Sequence, residues 1–181
     1  MSIHVMLDLE TAGSSADAAI LTIGAVKFDA ENFRVTDQFH QAIDPKTAYR
    51  YGGRFEPDTV LWWMSSKQDE ARKMLMAKLN DAQDFEGVLH GFSDWFGPDS
   101  LPVWGNGATF DNVILRRAYE RVGLPCPWNF WHDRCHRTVK SFAPDVKPSR
   151  RGLPEHDALA DAKWQMLQLG DVCKKLRIKL T

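Results

Sequence analysis

Ile3-His4-Val5-Met6-Leu7-Asp8-Leu9-Glu10-Thr11 is an apolar run that closes on two acids. Its β-branched and aliphatic content over residues 3–9 predicts a buried strand ending in carboxylates. Residues two apart on a strand face the same side, so Asp8 and Glu10 project together from an otherwise apolar element. Two neighbouring carboxylates repel and lose hydration, and a divalent cation is the natural compensation. A second apolar run, Ile20-Leu21-Thr22-Ile23-Gly24-Ala25-Val26-Lys27-Phe28, predicts a second strand. Alternation at Val35, Phe39 and Ile43 predicts a third over residues 34–43. The short connections favour antiparallel neighbours.

Further along, Asp44-Pro45 breaks the strand pattern, and residues 49–55, with Gly52-Gly53, read as an exposed loop. The pattern then turns helical. Asp58-Thr59 is placed to cap a short helix through Trp62-Trp63-Met64, and Ser66 to cap the next. Phe85, Val88, Leu89, Phe92, Trp95 and Phe96 recur at helical spacing up to Gly97-Pro98. Residues 101–104 read as a short buried strand, 109–122 as a helix stopped by Gly123 and Pro125, 129–132 as a fifth strand, and 157–176 as a long last helix. Three strands followed by helices alternating with two more strands predict a mixed five-stranded α/β sheet flanked by helices, as one domain over residues 1–181.

With 181 residues the chain can bury a core without staples. Its composition, 44% hydrophobic and 26% charged, excludes a disordered or collagen-like chain. No apolar run approaches the ~20 residues of a membrane span, so no membrane partner is expected. Met1-Ser2-Ile3-His4-Val5 has no signal-type pattern, and three cysteines, Cys126, Cys135 and Cys173, make no disulfide framework. These features predict a cytoplasmic protein. The spacing of Cys126, His132, Cys135 and His136 lacks the paired pattern of a structural zinc site and reads as packing. Gly105 and Gly107 lack the third glycine of a dinucleotide turn, where Phe110 stands. No nucleophile elbow of the Gly-x-Ser-x-Gly type is present.

Two further acidic motifs join the first. Trp104-Gly105-Asn106-Gly107-Ala108-Thr109-Phe110-Asp111 places an acid just past a buried strand, and His156-Asp157-Ala158-Leu159-Ala160-Asp161 places a histidine before the last helix and an acid inside it. Taken singly, each has a plainer reading. Asp8 and Glu10 could be solvated acids at a strand end. Asp111 could complement a helix dipole. Asp157 could cap the last helix, with His156 a surface residue.

As a set, Asp-x-Glu, Phe-Asp and His-x-x-x-x-Asp resemble the DEDD exonuclease superfamily in its histidine-bearing branch, whose members include ribonuclease T, oligoribonuclease and polymerase proofreading subunits. The resemblance spans Asp8 to Asp161. It is closer to the small Rv2179c-like 3′–5′ exoribonucleases and to phage and prophage exodeoxyribonuclease VIII-type proteins. Ala19-Ile20-Leu21-Thr22-Ile23-Gly24-Ala25-Val26 and Thr59-Val60-Leu61-Trp62-Trp63 carry it, beside the first two acidic motifs. Two departures stand out: the common His-Asn-Ala-x-Phe-Asp run reads Asn106-Gly107-Ala108-Thr109-Phe110-Asp111, and a frequent glutamate of the second strand is Thr22.

The resemblance implies a ribonuclease H-like fold and a 3′–5′ exonuclease acting on single-stranded RNA or DNA 3′ ends or overhangs. It implies that Asp8, Glu10, Asp111 and Asp161 hold two Mg²⁺ or Mn²⁺ ions, some through water. Such a pair, roughly 3.5–4 Å apart, activates a water and stabilises the leaving 3′-oxygen. His156 is then the general base, on a loop that would let it swing in. The turn at Thr11 and Ala12 lies toward the terminal nucleotide. Trp62 and Trp63 are candidates for base stacking, although successive helical residues point about 100° apart and should not share a pocket wall. A homodimer fits the family, with Trp128-Asn129-Phe130-Trp131 as a candidate surface. Open alternatives are a DNA-specific enzyme of the same fold, a catalytically idle nucleic-acid-binding domain, and an unrelated binding protein with solvated acids.

The net charge of −1 argues against a protein that coats nucleic acid. Its distribution is uneven. Residues 134–151 carry Arg134, Arg137, Lys140, Lys147, Arg150 and Arg151 against Asp145 alone. This stretch runs into His156 and the last acid. It is expected to steer a phosphate backbone, with Arg150 and Arg151 nearest the site.

Overall fold

The computed structural model describes residues 2–150 and 152–180. Strands β1 (Ile3–Thr11), β2 (Ile20–Asp29) and β3 (Arg34–Ala42) pair antiparallel. β4 (Val103–Gly105) runs parallel to β1, and β5 (Asp133–Cys135) parallel to β4. The order across the sheet is β3-β2-β1-β4-β5. This is the expected mixed sheet, with its first three strands antiparallel.

Helices cover both faces. The odd residues of β1, Val5, Leu7 and Leu9, share one core with Phe85, Val88, Leu89, Phe92 and Phe96 of α4 (Phe85–Phe96) and with Ile114, Leu115 and Ala118 of α5 (Asp111–Val122). Met6 faces the other way, into a core formed with Val26, Phe28 and Trp104 and with Ala162, Met166, Leu169 and Cys173 of α7 (Ala158–Leu176). β2 is buried on both faces because both carry helices, which explains its near-continuous apolar run. The α4 helix starts where Asp84 accepts the Glu86 and Gly87 N–H groups, and it stops at Gly97.

Five local expectations change. Asp44 does more than break a strand: its carboxylate accepts the Lys46 N–H, and with Pro45 at the first position it starts α1 (Pro45–Arg50), so the loop expected from Tyr49 begins as helix. Helix α2 (Pro57–Met64) begins on Pro57, with Glu56 at its cap position. Ser66 opens a 3₁₀ turn, and α3 spans Asp69–Leu79. Residues 129–132 are not a strand. The Asn129 side chain accepts the Trp131 N–H and winds Phe130–His132 into a 3₁₀ turn, so the fifth strand falls on Asp133–Cys135. The short helix α6 (His136–Ser141) follows it. Trp128, one of the candidate surface aromatics, is buried in the first core, whereas Phe130 and Trp131 are exposed. No described helix is long and apolar enough to cross a membrane.

Candidate active site

The pleat of β1 decides where its acids go. Asp8 and Glu10 share the parity of Met6, so they emerge on the α7 face. Opposite Asp8 in the antiparallel register stands Gly24. A Cβ on Gly24 would lie 2.2 Å from the carbonyl carbon of Ala158 and 2.2 Å from the amide nitrogen of Leu159. Its absence lets the first turn of α7 lie directly on the sheet, which carries Asp161 to the two β1 acids. Gly105 does the same for α5, since a Cβ there would meet Asn112 Oδ1 at 2.3 Å and Asp111 Cβ at 3.1 Å. Asp111, the first residue of α5, is thereby set against β1.

Glu10, His156 and Asp161 each offer one ligand atom within 4.8 Å of the others. Asp8, Glu10, Asp161 and His156 line one cavity of about 390 Å³, together with Thr11, Trp62, Trp63 and Arg150. Asp111 sits behind it, buried, with Oδ1 accepting the Leu9 N–H at 3.2 Å and Oδ2 the Asn106 N–H at 3.0 Å. A larger cavity of about 800 Å³ lies between the β2–β3 turn and the end of α7, but none of the motif acids reaches it. The chemistry, rather than the volume, selects the smaller one.

Electrostatics set these acids apart. Burial, and then the charges of Asp111, Glu10 and Asp161, push Asp8 well above the usual carboxylate range, opposed by a hydrogen bond from Gln165. Burial, and then Asp161, Asp157 and Asp111, push Glu10 up likewise. Burial lifts Asp111 to about 7 against the pull of its N–H donors and of Arg137. A cluster of hard oxygen donors whose ionised state is so unfavourable is suited to holding a divalent cation.

Asp161 Oδ2 accepts the His156 N–H at 2.8 Å, and Asp161 Oδ1 accepts from the Arg150 guanidinium. Arg150 also donates to Pro154 O at 2.7 Å and lies over the Trp164 ring at 5.0 Å. His156 has φ of 57°, a left-handed backbone that turns the chain sharply into α7. Its ring packs edge-on against Trp62 at 4.9 Å and Trp63 at 6.3 Å. Asp157 is the cap of α7, accepting the Ala160 N–H, and it pairs with Lys78, so it belongs to the scaffold. Arg151 lies outside the described residues.

Two expectations about contacts need correction. Trp62 and Trp63 do share a cavity wall: Trp62 folds edge-on over Trp63, 5.0 Å between centroids, and the turn of the helix is spanned by the size of the rings. Trp63 is buried, with Nε1 donating to Thr11 O at 2.9 Å, while Trp62 stays 40% exposed at the rim. Ala12 does not line the cavity. It is buried in the first core, because alternate residues of the strand end face opposite ways. Phe110, next to Asp111, packs against the first core and also reaches the cavity wall.

Two residues escaped the sequence reading. Gln165 Nε2 donates to Asp8 Oδ1 at 2.7 Å, and Trp164 carries Arg150. Gln165 lies four residues past Asp161, one helical turn along the same face, and that spacing could have revealed it.

The family described as 3′–5′ exoribonuclease Rv2179c-like domain matches residues 3–172. The chain belongs to that family. As an Rv2179c-like protein it is also 26% identical over 200 residues to an exodeoxyribonuclease of Enterobacteria phage T4, across 91% of this chain and 86% of the relative. Its fold is that of exonuclease I, with a TM-score of 0.66 at 20% identity over 97% of this chain. The E. coli exonuclease I complex with a dA16 oligonucleotide gives 0.65 at 18% over 97% of this chain. The Rv2179c-like chain spans 41% of the length of those exonuclease I chains. The sheet and these neighbours make the fold ribonuclease H-like, and the family is one of DEDD-type 3′–5′ exonucleases.

Proposed function

We propose that this chain is a divalent-metal-dependent 3′–5′ exonuclease that removes nucleoside 5′-monophosphates from the 3′ end of single strands or overhangs. The observation that carries this reading is the convergence of Asp8, Glu10, Asp161 and His156 on one cavity, with Asp111 buried directly behind. RNA is favoured as substrate by the family description. DNA is the second reading, supported by the phage relative named exodeoxyribonuclease.

In this reading Asp8, Glu10, Asp111 and Asp161 hold two Mg²⁺ or Mn²⁺ ions. Bound there, the ions supply positive charge to the attacking water and to the leaving 3′-oxygen. The protein groups do the rest. The His156 ring nitrogen takes a proton from the water, whose oxygen then bonds to phosphorus. The P–O3′ bond breaks, the proton ends on the 3′-oxygen of the shortened strand, and the phosphate leaves on the released nucleotide. Trp62 offers a rim face for the terminal base, and the Thr11 turn lies beside its sugar. Gln165 orients Asp8 through a single hydrogen bond.

Matched RNA and DNA oligonucleotides labelled at the 5′ end test this reading. In Mg²⁺ the label should move down a ladder one nucleotide at a time, and EDTA should stop it. Immediate release of a labelled mononucleotide, or no cleavage of either strand, contradicts the proposal. The faster ladder identifies the sugar.

A further inference from the structure

A second groove adjoins the catalytic cavity. It measures about 480 Å³ and is lined by Arg137, Lys140, Lys147, Pro144, Val146 and Trp164 among others, with no carboxylate among the described residues of its wall. Trp164 belongs to the walls of both the groove and the catalytic cavity. Asn106, in the cavity wall, accepts from Arg137 through its backbone oxygen at 2.6 Å and from Lys140 through Oδ1 at 3.0 Å. The two spaces therefore adjoin, sharing the Trp164 ring in their walls and bridged by the Asn106 loop.

We propose that this groove carries the sugar–phosphate backbone of the substrate strand upstream of its terminal nucleotide. The inference rests on the exonuclease reading and names the path that the strand takes to the site. Three cations beside an apolar wall match a single strand, whose phosphates and base or sugar faces alternate along its length. Burial and the nearby Arg137 charge hold Lys140 below the usual lysine value, so an anion brought between them relieves a repulsion. Only Arg150, of the described basic residues 134–150, reaches the catalytic cavity itself. The others of the groove lie one step farther out, where the preceding phosphates would pass. The uneven charge of the sequence thus resolves into a track rather than a patch.

The test uses Lys147→Glu and Ser141→Glu, singly and together. Both side chains are exposed and neither touches the catalytic acids. Binding of fluorescein-labelled octanucleotides, ribo and deoxy, is followed by anisotropy in EDTA, so that no strand is cut. Turnover of a dinucleotide is measured separately in Mg²⁺. The double variant should bind octanucleotides about tenfold more weakly at low salt, with a salt slope shallower by about 1. Its kcat/KM on the dinucleotide should stay within about twofold of the parent, because a dinucleotide does not extend into the groove. Unchanged octanucleotide affinity and slope overturn the proposal, as does an equal loss on the dinucleotide. If the parent cuts no oligonucleotide yet the variants lose affinity, the exonuclease reading falls and the groove stands.

Discussion

Asp8 and Asp161 carry like charge in one cavity, yet their surroundings differ. Among the described residues, Asp8 has one side-chain donor, Gln165. Asp161 accepts from the His156 N–H and from the Arg150 guanidinium, which together pin the loop before α7. Replacing either acid should abolish turnover, but their effects on stability should diverge. Asp8→Asn relieves repulsion in a buried cluster and should raise the melting temperature in EDTA; a gain of about 1 kcal/mol is worth roughly 2–4 °C in a chain of this size. Asp161→Asn strands a guanidinium and weakens the loop anchor, so it should lower it. Thermal denaturation of both variants checks the pair, and a common direction of shift argues against it. That Asp8, Glu10, Asp111, His156 and Asp161 belong together was legible in the sequence only as a set, because each motif alone reads as a solvated acid or a helix cap while the three together resemble an exonuclease family. The Arg150–Asp161 pair was not. It depends on how an irregular loop folds back, and no periodicity encodes that.

At the scale of elements, the site depends on two glycines. The second strand read as a strand from its β-branched run, but Gly24 within it carried no visible reason. The reason is the backbone of α7 lying where a Cβ would stand. Gly24→Ala should cost about 1–3 kcal/mol through overpacking. It should also reduce turnover by about 10²-fold, the order expected when a catalytic group moves by an ångström. Urea denaturation and steady-state assay check both, and parent-like turnover in a folded variant contradicts the placement of Asp161 by this contact. Long elements such as α4 and α7 were readable because their apolar periodicity runs over several turns. The three-residue β5 was misplaced onto Asn129–His132 because a short aromatic run carries no period, and a side-chain cap decided its conformation.

Across the whole molecule, the sheet separates two cores, and titratable groups sit at the seam. His136 is fully buried, and neither ring nitrogen has a hydrogen-bond partner among the described residues. Burial, and then the Lys140 charge, hold it down to about 3. The folded chain therefore keeps this ring neutral while the unfolded chain protonates it below about 6.5. Its stability contribution is complete above that value and is lost as pH falls toward 3. The raised acids act in the opposite sense, since burial keeps Asp111 protonated up to about 7 and folding is favoured as pH falls through that value. Comparison with His136→Leu isolates the histidine. Between pH 7 and pH 5 the parent should lose about 2 kcal/mol relative to the variant, at roughly 1.4 kcal/mol per pH unit below 6.5. Parallel urea-denaturation curves at the two pH values contradict this.

If acids from β1, α5 and α7 form one cation-dependent centre, calorimetric titration of the metal-free protein with MnCl₂ detects it without any nucleic acid. Saturable binding that Asp8→Asn removes is the expected result; an absent signal, or an identical isotherm for the variant, excludes such a centre.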